Sequence, residues 1–497
     1  MPWRIERLQS QVMTKTKLVA TVGPACDTDA HIGAMIDVGV DVFRLNFSHG
    51  TLDTHAASLE RIRRIAAERG EVVAVMGDLC GPKIRLGQVA GGQCELVAGT
   101  HVVFQREPID GTPQRLSCNY PALIEDAKKG DRVLIDDGNV LLRVIDKKND
   151  ELVCRCEIGG VVSNHKGINL PDSNVSAPAL TEKDRTDLEW AIRHQVDLIA
   201  LSFVRQPEDI VELRTILTKQ GSSAQIVAKI EKPQALEQLD RIIQESDVVL
   251  VARGDLGVEM DISRVPIVQK EIALHCRLTG TPVIIATQML QSMVESPVPT
   301  RAEVSDIANA ILDNADALML SAETSIGRFP IEAVRVMDKV AAQTDSFSRR
   351  HSQELGINRT ATLRVATAVV HAATAMAEDL DVGVVAVWTE GGNLARLLSK
   401  HRLDRPIVAF TPHEHVCRQM ALLYGVIPIR YDRPSRLDRM LNDLDQTLID
   451  RDLATHGDRI VVVANRRPDL PGDTEALLTH IVGSGKSNDS GAKGVTQ

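Results

Sequence analysis

Short runs of apolar residues recur eight times along the chain, and each run predicts a β-strand that is buried on both faces. Stretches with the periodicity of amphipathic helices separate the runs. The eight runs occupy residues 17–23, 40–50, 71–79, 196–204, 224–231, 247–257, 281–289 and 315–324. Alternating strands and helices predict a parallel sheet, so eight such pairs predict an α/β protein built on a (β/α)8 TIM barrel.

Polar residues interrupt the apolar pattern where nearly every predicted strand ends. In a barrel of this kind the carboxyl ends of all strands meet at one mouth, where the loops open to solvent. The sequence therefore predicts that one mouth collects the following side chains: Thr21, Arg44, Asn46, Ser48, Asp78, Ser202, Lys229, Glu231, Arg253, Asp255, Thr287 and Glu323.

Between the third and fourth strands, over residues 80–179, the helical periodicity disappears. Alternating runs at 101–105, 132–136, 140–146 and 151–159 predict strands separated by Gly, Asp and Asn. We interpret this region as an all-β domain inserted into a barrel loop. Because it is carried on the face with the polar strand ends, it is placed to act as a lid.

A second α/β pattern follows the barrel. A helix at 330–345 closes the barrel, the polar stretch 344–360 predicts a linker, and a helix at 361–380 opens the next domain. Helical segments then connect strands predicted at 382–389, 406–412, 426–432 and 459–465. This order predicts a three-layer α/β domain with helices on both faces of a parallel sheet.

These patterns divide the chain into barrel, lid, C-terminal domain and tail. The small polar residues of the tail predict disorder. The predicted boundaries are 1–79 and 180–345 for the barrel, 80–179 for the lid, 346–482 for the C-terminal domain and 483–497 for the tail.

Composition and charge exclude several classes of protein. Hydrophobic residues make up 43% of the chain and charged residues 25%, as in ordinary globular proteins. A formal net charge of -10 argues against nucleic acid or anionic lipid as a partner. The sequence shows no signal peptide or membrane-spanning stretch, and its eight scattered cysteines lack metal-site spacing. We therefore expect a cytoplasmic protein with free thiols.

Lys229 and Glu231 are two positions apart in a predicted strand, so their side chains point to the same side. Asp255 lies at the tip of the next strand. Two carboxylates on neighbouring strands suit Mg2+, which keeps coordination sites open for water and substrate. The alternative interpretation is a salt bridge between Lys229 and one of these carboxylates at the barrel mouth.

Other residues at the mouth favour the binding of an anion. Arg44 offers paired hydrogen bonds to phosphate or carboxylate, and Thr287 offers a hydroxyl group. Gly254 and Gly257 flank Asp255 and let backbone N–H groups approach an anion where a helix begins, although a tight turn would also use them. Fixed cations around such a site favour phosphoryl transfer or enolate chemistry, because both place negative charge on oxygen.

The motifs, taken in order, resemble the pyruvate kinase family over nearly the whole chain. The family's barrel, inserted β lid and C-terminal α/β domain coincide with the three regions described above. The segments that carry the resemblance are ATVGPA (20–25), RLNFSHG (44–50), GPKIR (81–85), KGINLP (166–171), LTEKD (180–184), KIE (229–231), ARGDLG (252–257), ATQML (286–290) and LSAET (320–324).

The resemblance implies phosphate transfer from phosphoenolpyruvate to ADP, with Mg2+ as cofactor, Mn2+ as a possible substitute, and a homotetramer. Arg44 and Lys229 would bind the transferred phosphate, and Glu231 and Asp255 would hold the metal. Gly254, Asp255 and Thr287 would bind the carboxylate of phosphoenolpyruvate, and the enolate would be protonated at Thr287. The implied nucleotide-binding residues are Asn46, His49, Arg85 and Lys183. The implied potassium site consists of Asn46, Ser48, Asp78 and the Leu79 carbonyl.

The sequence departs from the family pattern in two places. Lys83 stands where many members have glutamate beside the monovalent-cation site. An ammonium group carries the charge of K+, so the sequence predicts activity without potassium; the alternative is a solvated lysine. Asn393 and Leu394 replace the basic and hydroxyl residues of the effector loop, which argues against activation by sugar phosphates.

Two other functions remain open from the residues alone. A Mg2+-dependent barrel lyase or aldolase acting on pyruvate-like substrates would use the same Lys229, Glu231 and Asp255. Arg85, Lys183 and the lid argue against it, since such an enzyme needs no nucleotide site. A regulatory homologue without turnover is the second alternative, and the complete set of candidate catalytic residues argues against it.

Overall fold

The chain begins with the first part of a barrel. The structure is a computed structural model that describes residues 14–148, 150–348, 364–432, 436–464 and 476–484. Helices Asp29–Val38 and Leu52–Arg69 connect three parallel strands. Each helix begins at a threonine N-cap and ends at a glycine in the left-handed conformation. The strands are β1 (Lys17–Thr21), β2 (Val42–Asn46) and β3 (Ala74–Asp78).

The inserted lid is an all-β unit with its own hydrophobic core, which includes Phe104, Leu142 and Leu152. A six-stranded sheet has the order β11-β7-β8-β9-β5-β6, and β10 pairs with β4. A helix spans Leu123–Asp126. The lid strands are β4 (Gln93–Leu96), β5 (His101–Gln105), β6 (Arg115–Leu116), β7 (Arg132–Ile135), β8 (Val140–Lys148), β9 (Glu151–Ile158), β10 (Gly160–Ser163) and β11 (Ile168–Asn169).

The four predicted lid strands are confirmed as β5, β7, β8 and β9. The other four were not predicted, because they are at most four residues long and too short to show alternation.

The barrel resumes after the lid with five more parallel strands, and the closed order is β1-β16-β15-β14-β13-β12-β3-β2. The five strands are β12 (Leu198–Leu201), β13 (Gln225–Ile230), β14 (Val248–Ala252), β15 (Val283–Ala286) and β16 (Ala317–Leu320). The associated α-helices are Glu182–Arg193, Pro207–Lys219, Pro233–Glu237, Leu239–Glu245, Arg253–Glu259, Val265–Thr279, Arg301–Leu312, Ala322–Ser325 and Pro330–Ser348.

All eight predicted barrel strands are confirmed, but several predicted ends are wrong. The run 247–257 is a strand only to Ala252, because a helix begins at Arg253. The run 40–50 likewise ends as a strand at Asn46. The apolar pattern continues past the end of each of these strands, because residues of the following loop or helix are also apolar. The backbone leaves the sheet earlier, where the loop or helix begins.

The C-terminal domain has a five-stranded sheet of order β19-β18-β17-β20-β21. Its strands are β17 (Val385–Trp388), β18 (Ile407–Thr411), β19 (Val426–Arg430), β20 (Arg459–Ala464) and β21 (Ala476–Ile481). Its α-helices are Arg364–Asp379, Asn393–Lys400, Glu414–Met420 and Leu437–Asp450. Separate apolar cores lie on the two faces of the sheet, which confirms the predicted three-layer arrangement.

Two expectations for this half of the chain need correction. The antiparallel strand β21 was not predicted. The predicted linker 344–360 starts too early, since the helix Pro330–Ser348 continues through its first residues. Most of that linker, and the tail from residue 485, lie outside the described residues.

The C-terminal domain covers the base of the barrel. Ala421 and Leu422 pack with the apolar side chains inside the barrel. Beside them the buried carboxylate of Asp197 binds Arg63 at 2.6 Å and Arg418 of the C-terminal domain at 2.7 Å. No helix in the described part of the chain combines the length and the apolar composition needed to cross a membrane.

We expect Asp197→Ala to lower the free energy of unfolding by about 3 kcal/mol, because it leaves two partly buried guanidinium groups without their shared carboxylate. Guanidinium denaturation followed by circular dichroism measures the effect. Asp432→Ala is the control, since that side chain is 92% exposed. Equal midpoints for the two variants would contradict the assigned role of Asp197.

Candidate active site

The pleat of the barrel strands places several polar side chains at one mouth. Successive residues of a strand alternate between the barrel interior and the surrounding helices. In β13, Val227 belongs to the interior cluster, whereas Ile226 and Ala228 pack outward. The next inward positions are therefore Lys229 and Glu231. The same alternation places four other side chains at this level: Thr21, Arg44, Asp78 and Ser202.

Lys229 is held by three oxygen atoms inside the mouth. Its Nζ atom lies 2.8 Å from Glu231 Oε1 and 3.2 Å from Asp78 Oδ1. It also donates to Ser202 Oγ at 2.7 Å. The side chain is 11% exposed, so the ammonium group has a defined position and keeps a narrow path to solvent.

Arg44 shares the carboxylate of Asp78 with Lys229. Arg44 Nε donates to Asp78 Oδ2 at 2.6 Å, and a second guanidinium nitrogen donates to Thr21 Oγ1 at 3.1 Å. Asp78 therefore binds one cation with each oxygen. This arrangement places two positive groups side by side at the mouth without leaving either unpaired.

The protonation states follow from this packing. Burial alone would lower the pKa of Lys229, but Asp78 and Glu231 outweigh burial and hold that pKa above its ordinary value. Burial alone would raise the pKa of Asp78, but Lys229 and Arg44 hold it below its ordinary value. Both groups are charged at neutral pH, so the mouth presents fixed cations to an anionic ligand.

Glu231 and Asp255 form the candidate metal site. Burial raises the pKa of Glu231, and the negative charge of Asp255 raises it further, against the opposing effect of Lys229. The carboxylate of Asp255 is therefore near enough to act on the charge of Glu231, and a cation bound by both would offset that repulsion. Glu231 Oε2 also accepts the backbone N–H of Phe203 at 2.8 Å, which fixes the orientation of the carboxylate.

Gly254 and Thr287 meet where the neighbouring strands β14 and β15 end. Gly254 N donates to Thr287 Oγ1 at 2.7 Å, and Thr287 Oγ1 donates to the Ala286 carbonyl at 2.6 Å. A Cβ atom at Gly254 would lie 3.3 Å from that hydroxyl oxygen, so glycine permits the close approach. Thr287 and Gln288 have left-handed φ angles of 72° and 54°. This conformation is uncommon for residues other than glycine, and most of all for a β-branched residue such as Thr287.

Two other strand-end residues have structural contacts instead. Glu323 is buried and accepts the backbone N–H groups of Leu290 and Ser321. Arg253 pairs with Asp306 at 2.7 Å and donates to the Thr287 carbonyl at 3.0 Å. Both residues stabilise the loops around the mouth, and the charge of each is engaged by these contacts.

A second cleft lies between the barrel mouth and the lid. This cavity has a volume of about 570 Å3, and Ser48, Lys83, Arg85 and Lys183 line it. Of the four residues predicted to bind nucleotide, Arg85 and Lys183 line the cleft, whereas Asn46 and His49 are not among its lining residues.

Within this cleft Lys183 is the best anchored cation. Its Nζ atom donates to the Phe47 carbonyl at 2.7 Å and pairs with Asp187 at 2.6 Å. Arg85 donates to the carbonyl of His165 in the lid at 3.1 Å, so its guanidinium group is held against the lid. His49 is exposed at the edge of the barrel.

The residues predicted to bind a monovalent cation already form hydrogen bonds, either with one another or with neighbouring residues. Asn46 Oδ1 accepts the Ser48 N–H at 3.1 Å, and Ser48 Oγ donates to Cys80 Sγ at 3.3 Å. The Leu79 carbonyl accepts from Ser202 Oγ at 2.8 Å.

The sequence reasoning placed Ser202 at the mouth but gave it no function. The structure shows that its hydroxyl group links Lys229 to the Leu79 carbonyl. The signal was its position at the end of a predicted strand. What it contacts could not be predicted, because β3 and β12 are separated in sequence by the whole lid.

Comparison with known proteins agrees with this geometry. The family model described as "Pyruvate kinase, barrel domain" matches residues 13–334, and "Pyruvate kinase, alpha/beta domain" matches residues 367–480. This chain belongs to the pyruvate kinase family. The protein is therefore an enzyme of the phosphotransferase class.

Relatives match over nearly the full length. A pyruvate kinase of Mycobacterium tuberculosis is 41% identical over 467 residues, covering 94% of this chain and 98% of that protein. One from Bacillus licheniformis is 39% identical over 475 residues, covering 95% of this chain and 81% of the relative. A crystal structure of a pyruvate kinase from Cryptosporidium parvum superimposes with a TM-score of 0.87 at 32% identity, covering 96% and 99% of the two chains.

We expect Asp78→Asn to lower kcat/KM for pyruvate formation by about 100-fold, because Arg44 and Lys229 lose the charge that positions both. A coupled assay at saturating ADP measures the change. Asp240→Asn, on the outer surface of the barrel, should keep wild-type kinetics. Comparable rates for the two variants would show that the shared carboxylate does not organise the site.

Proposed function

We propose that the protein transfers the phosphoryl group of phosphoenolpyruvate to ADP, forming ATP and pyruvate. The observation that carries this proposal is the pair of positioned cations, Arg44 and Lys229, beside the facing carboxylates Glu231 and Asp255. Phosphoryl transfer is catalysed chiefly by positioning and by neutralising charge on the oxygens, and this arrangement does both.

Glu231 and Asp255 would hold Mg2+, for which Mn2+ could substitute. Their mutual repulsion and their all-oxygen donor set fit a hard divalent cation. The bound metal would supply positive charge to the phosphate and enolate oxygens. Lys229, 2.8 Å from Glu231, would then lie on the same side of the substrate as the metal.

Arg44 and Lys229 would grip the phosphate of phosphoenolpyruvate. A terminal oxygen of ADP attacks the phosphorus, a new phosphorus–oxygen bond forms, and the bond to the enol oxygen breaks. The negative charge left on that oxygen is stabilised by the ammonium group of Lys229. Since Lys229 is already anchored by three oxygens, little reorganisation accompanies the transfer.

Thr287 and the turn at Gly254 would receive the substrate carboxylate. The backbone N–H groups of Gly254 and Asp255 lie in the first turn of a helix, where the helix dipole favours an anion. The Gly254 N–H donates to Thr287 Oγ1, and the substrate carboxylate would replace that hydroxyl oxygen as its acceptor. After transfer, the methylene carbon of the enolate takes a proton from water, and the Thr287 hydroxyl would orient that water. The left-handed backbone at Thr287 aims its side chain toward Gly254.

The cleft beneath the lid would bind ADP. Asn46, His49, Arg85 and Lys183 are assigned to the nucleotide side, and the 570 Å3 cavity that contains Arg85 and Lys183 has room for such a ligand. This cleft favours a kinase over a Mg2+-dependent lyase or aldolase, which needs no second substrate site. The intact catalytic cluster likewise disfavours a homologue without turnover.

We further propose that turnover does not require potassium. The expected cation ligands Asn46, Ser48, Asp78 and the Leu79 carbonyl already have hydrogen-bond partners within the protein. Lys83 lines the cleft together with Ser48, and its side chain is exposed there. Its ammonium group is therefore free to supply the positive charge that K+ would otherwise bring.

A homotetramer is the assembly we propose. Three apolar residues on the outer side of the barrel support an interface there: Ile262, Ile267 and Leu274 are 76%, 56% and 42% exposed. Contiguous exposed apolar side chains are typical of contact surfaces between subunits.

We expect Lys229→Met to lower kcat by about 10³-fold, because the developing enolate charge loses its cation. ATP formation from phosphoenolpyruvate and ADP, followed by a coupled assay, measures this. Lys219→Met, at the exposed end of an outer helix, is the matched control. Thermal denaturation verifies that the variant folds, and near-normal turnover of a folded Lys229→Met protein would refute the proposal.

We expect the wild-type rate to change less than about twofold when K+ is replaced by tetramethylammonium, because Lys83 supplies the charge. Lys83→Glu should create a potassium requirement. Lys129→Glu makes the same charge change elsewhere on the lid and should leave the enzyme indifferent to K+. Strong stimulation of the wild type by K+, or a potassium-independent Lys83→Glu enzyme, would rule the hypothesis out.

A further inference from the structure

A group of basic side chains lies where the base of the barrel meets the C-terminal domain, at the end opposite the active site. We call it the interface cluster and define it by five residues. Arg277 lies in the last turn of the helix Val265–Thr279, and Asp316 directly precedes β16. The C-terminal domain contributes the others, at the end of the helix Asn393–Lys400: Lys400, His401 and Arg402.

The carboxylate of Asp316 is the centre of the cluster. Asp316 Oδ2 pairs with Lys400 Nζ and also accepts the Val283 N–H at 2.7 Å. Asp316 Oδ1 lies 3.3 Å from a terminal nitrogen of Arg402, which also donates to the Asn314 carbonyl. Both carboxylate oxygens of Asp316 therefore already have partners within the protein.

The cluster has more positive than negative charge. The five residues carry three formal positive charges and one negative charge, and Asp316 pairs with Lys400 and Arg402. The next buried carboxylate, that of Asp345, accepts from the hydroxyl of Tyr424, against whose ring Arg402 lies. The side chains of Lys400 and Arg402 are 2% and 10% exposed, so water screens them poorly. Burial lowers the pKa of Arg277, and the neighbouring charge of Arg402 lowers it further, which shows the repulsion between the two guanidinium groups.

Three side-chain nitrogens in the cluster lack a hydrogen-bond partner. Over the described part of the chain, six buried side-chain nitrogen or oxygen atoms have no hydrogen-bond partner, and three of them lie here. They are the Nε atoms of Arg277 and Arg402, which are donors, and the Nε2 atom of His401. Buried unpaired polar atoms are rare in folded proteins, and two arginine donors without partners at one place indicate an absent acceptor.

The backbone adds a further cost at the same place. Arg402 has a left-handed φ of 53°, which non-glycine residues adopt uncommonly. This conformation follows directly on the helix end and turns the guanidinium group across the ring of Tyr424, 3.8 Å from the ring centroid. The ring fixes the plane of the guanidinium group and with it the direction of its free N–H.

One side of the cluster lies near the surface. Arg277 is only partly buried, and the exposed ring of His371 lies 4.9 Å from that of His401, edge to face. Arg277 and His371 are therefore the side chains of this region that lie nearest to solvent.

We propose that the interface cluster binds a phosphate-sized dianion, either free phosphate or the phosphate group of a small ester. Two guanidinium groups with free Nε–H atoms match the oxygens of a tetrahedral anion, and two negative charges balance the excess of two positive ones. The site is separate from the catalytic mouth and from the glycine turn at 389–396.

Binding there would connect two domains. Arg277 belongs to the barrel, whereas His401 and Arg402 belong to the C-terminal domain. An anion that contacts both replaces their repulsion with attraction. Its binding energy then stabilises the contact between the domains in the folded protein.

The experiment uses the full chain carrying Lys229→Met, so that phosphate binding at the catalytic mouth is weakened. Calorimetric titration with inorganic phosphate at constant ionic strength should give saturable binding. Adding Arg277→Gln should weaken the phosphate Kd at least about tenfold, since one charge-assisted contact is lost. Adding Arg335→Gln, on the exposed side of another helix, should leave Kd unchanged within about twofold.

A second measurement locates the site. Hydrogen exchange with and without phosphate should show protection of residues 398–403 and of 314–316. Glycerol 3-phosphate tests the ester in the same way: tighter binding than inorganic phosphate identifies the ester as the ligand class, and weaker binding identifies the free ion. Arg277→Lys keeps the charge but lacks the Nε donor, so it should bind phosphate with intermediate affinity.

Absence of saturable binding would overturn the proposal. So would equal affinity in the Arg277→Gln and Arg335→Gln proteins, or protection confined to residues 81–85 and 180–183 beneath the lid. None of these results bears on the catalytic proposal, because the titrations are made in a protein whose catalytic lysine is already replaced.

Discussion

The active site depends on one buried ammonium group. Lys229 is almost removed from water, and three oxygens compensate for its charge: those of Asp78, Glu231 and Ser202. Asp78 is the last residue of β3, Glu231 directly follows β13, and Ser202 directly follows β12. A closed barrel is what holds three strands in the register needed to bring these atoms within 3.2 Å of one nitrogen.

The same network explains how opposite charges coexist at the mouth. Asp78 binds Arg44 with one oxygen and Lys229 with the other, while Glu231 faces both Lys229 and Asp255. Removing any one of these groups leaves another buried charge unpaired, which costs more than the pair itself contributes. The cluster therefore behaves as a unit, in which two cations and two carboxylates are the groups proposed to bind the substrate phosphate and the metal.

Charge is also distributed along the length of the molecule. At the mouth Lys229 and Arg44 share the carboxylate of Asp78, whereas at the base Lys400 and Arg402 pair with Asp316 and the Nε atom of Arg277 has no partner. The proposed ligands of the mouth, an anionic substrate and a metal, would add charge of both signs there. The excess at the base lies between two domains, where an added anion would contact both.

The sequence by itself determined the architecture and most members of the site. Strands buried on both faces have continuous apolar runs, so all eight barrel strands could be identified, and the pleat of β13 predicted that Lys229 and Glu231 point the same way. Lid strands of two to four residues and the antiparallel β21 were missed, because short elements carry little periodicity.

Only the tertiary structure decided which of these residues meet. Glu323 and Arg253 have the same position at strand ends as the catalytic residues, yet they hold loops, and Ser202 links Lys229 to a carbonyl across the barrel. The interface cluster at the base was likewise invisible in the sequence. Its members are separated by about a hundred residues, and the charges of side chains become coupled only when folding removes the water between them.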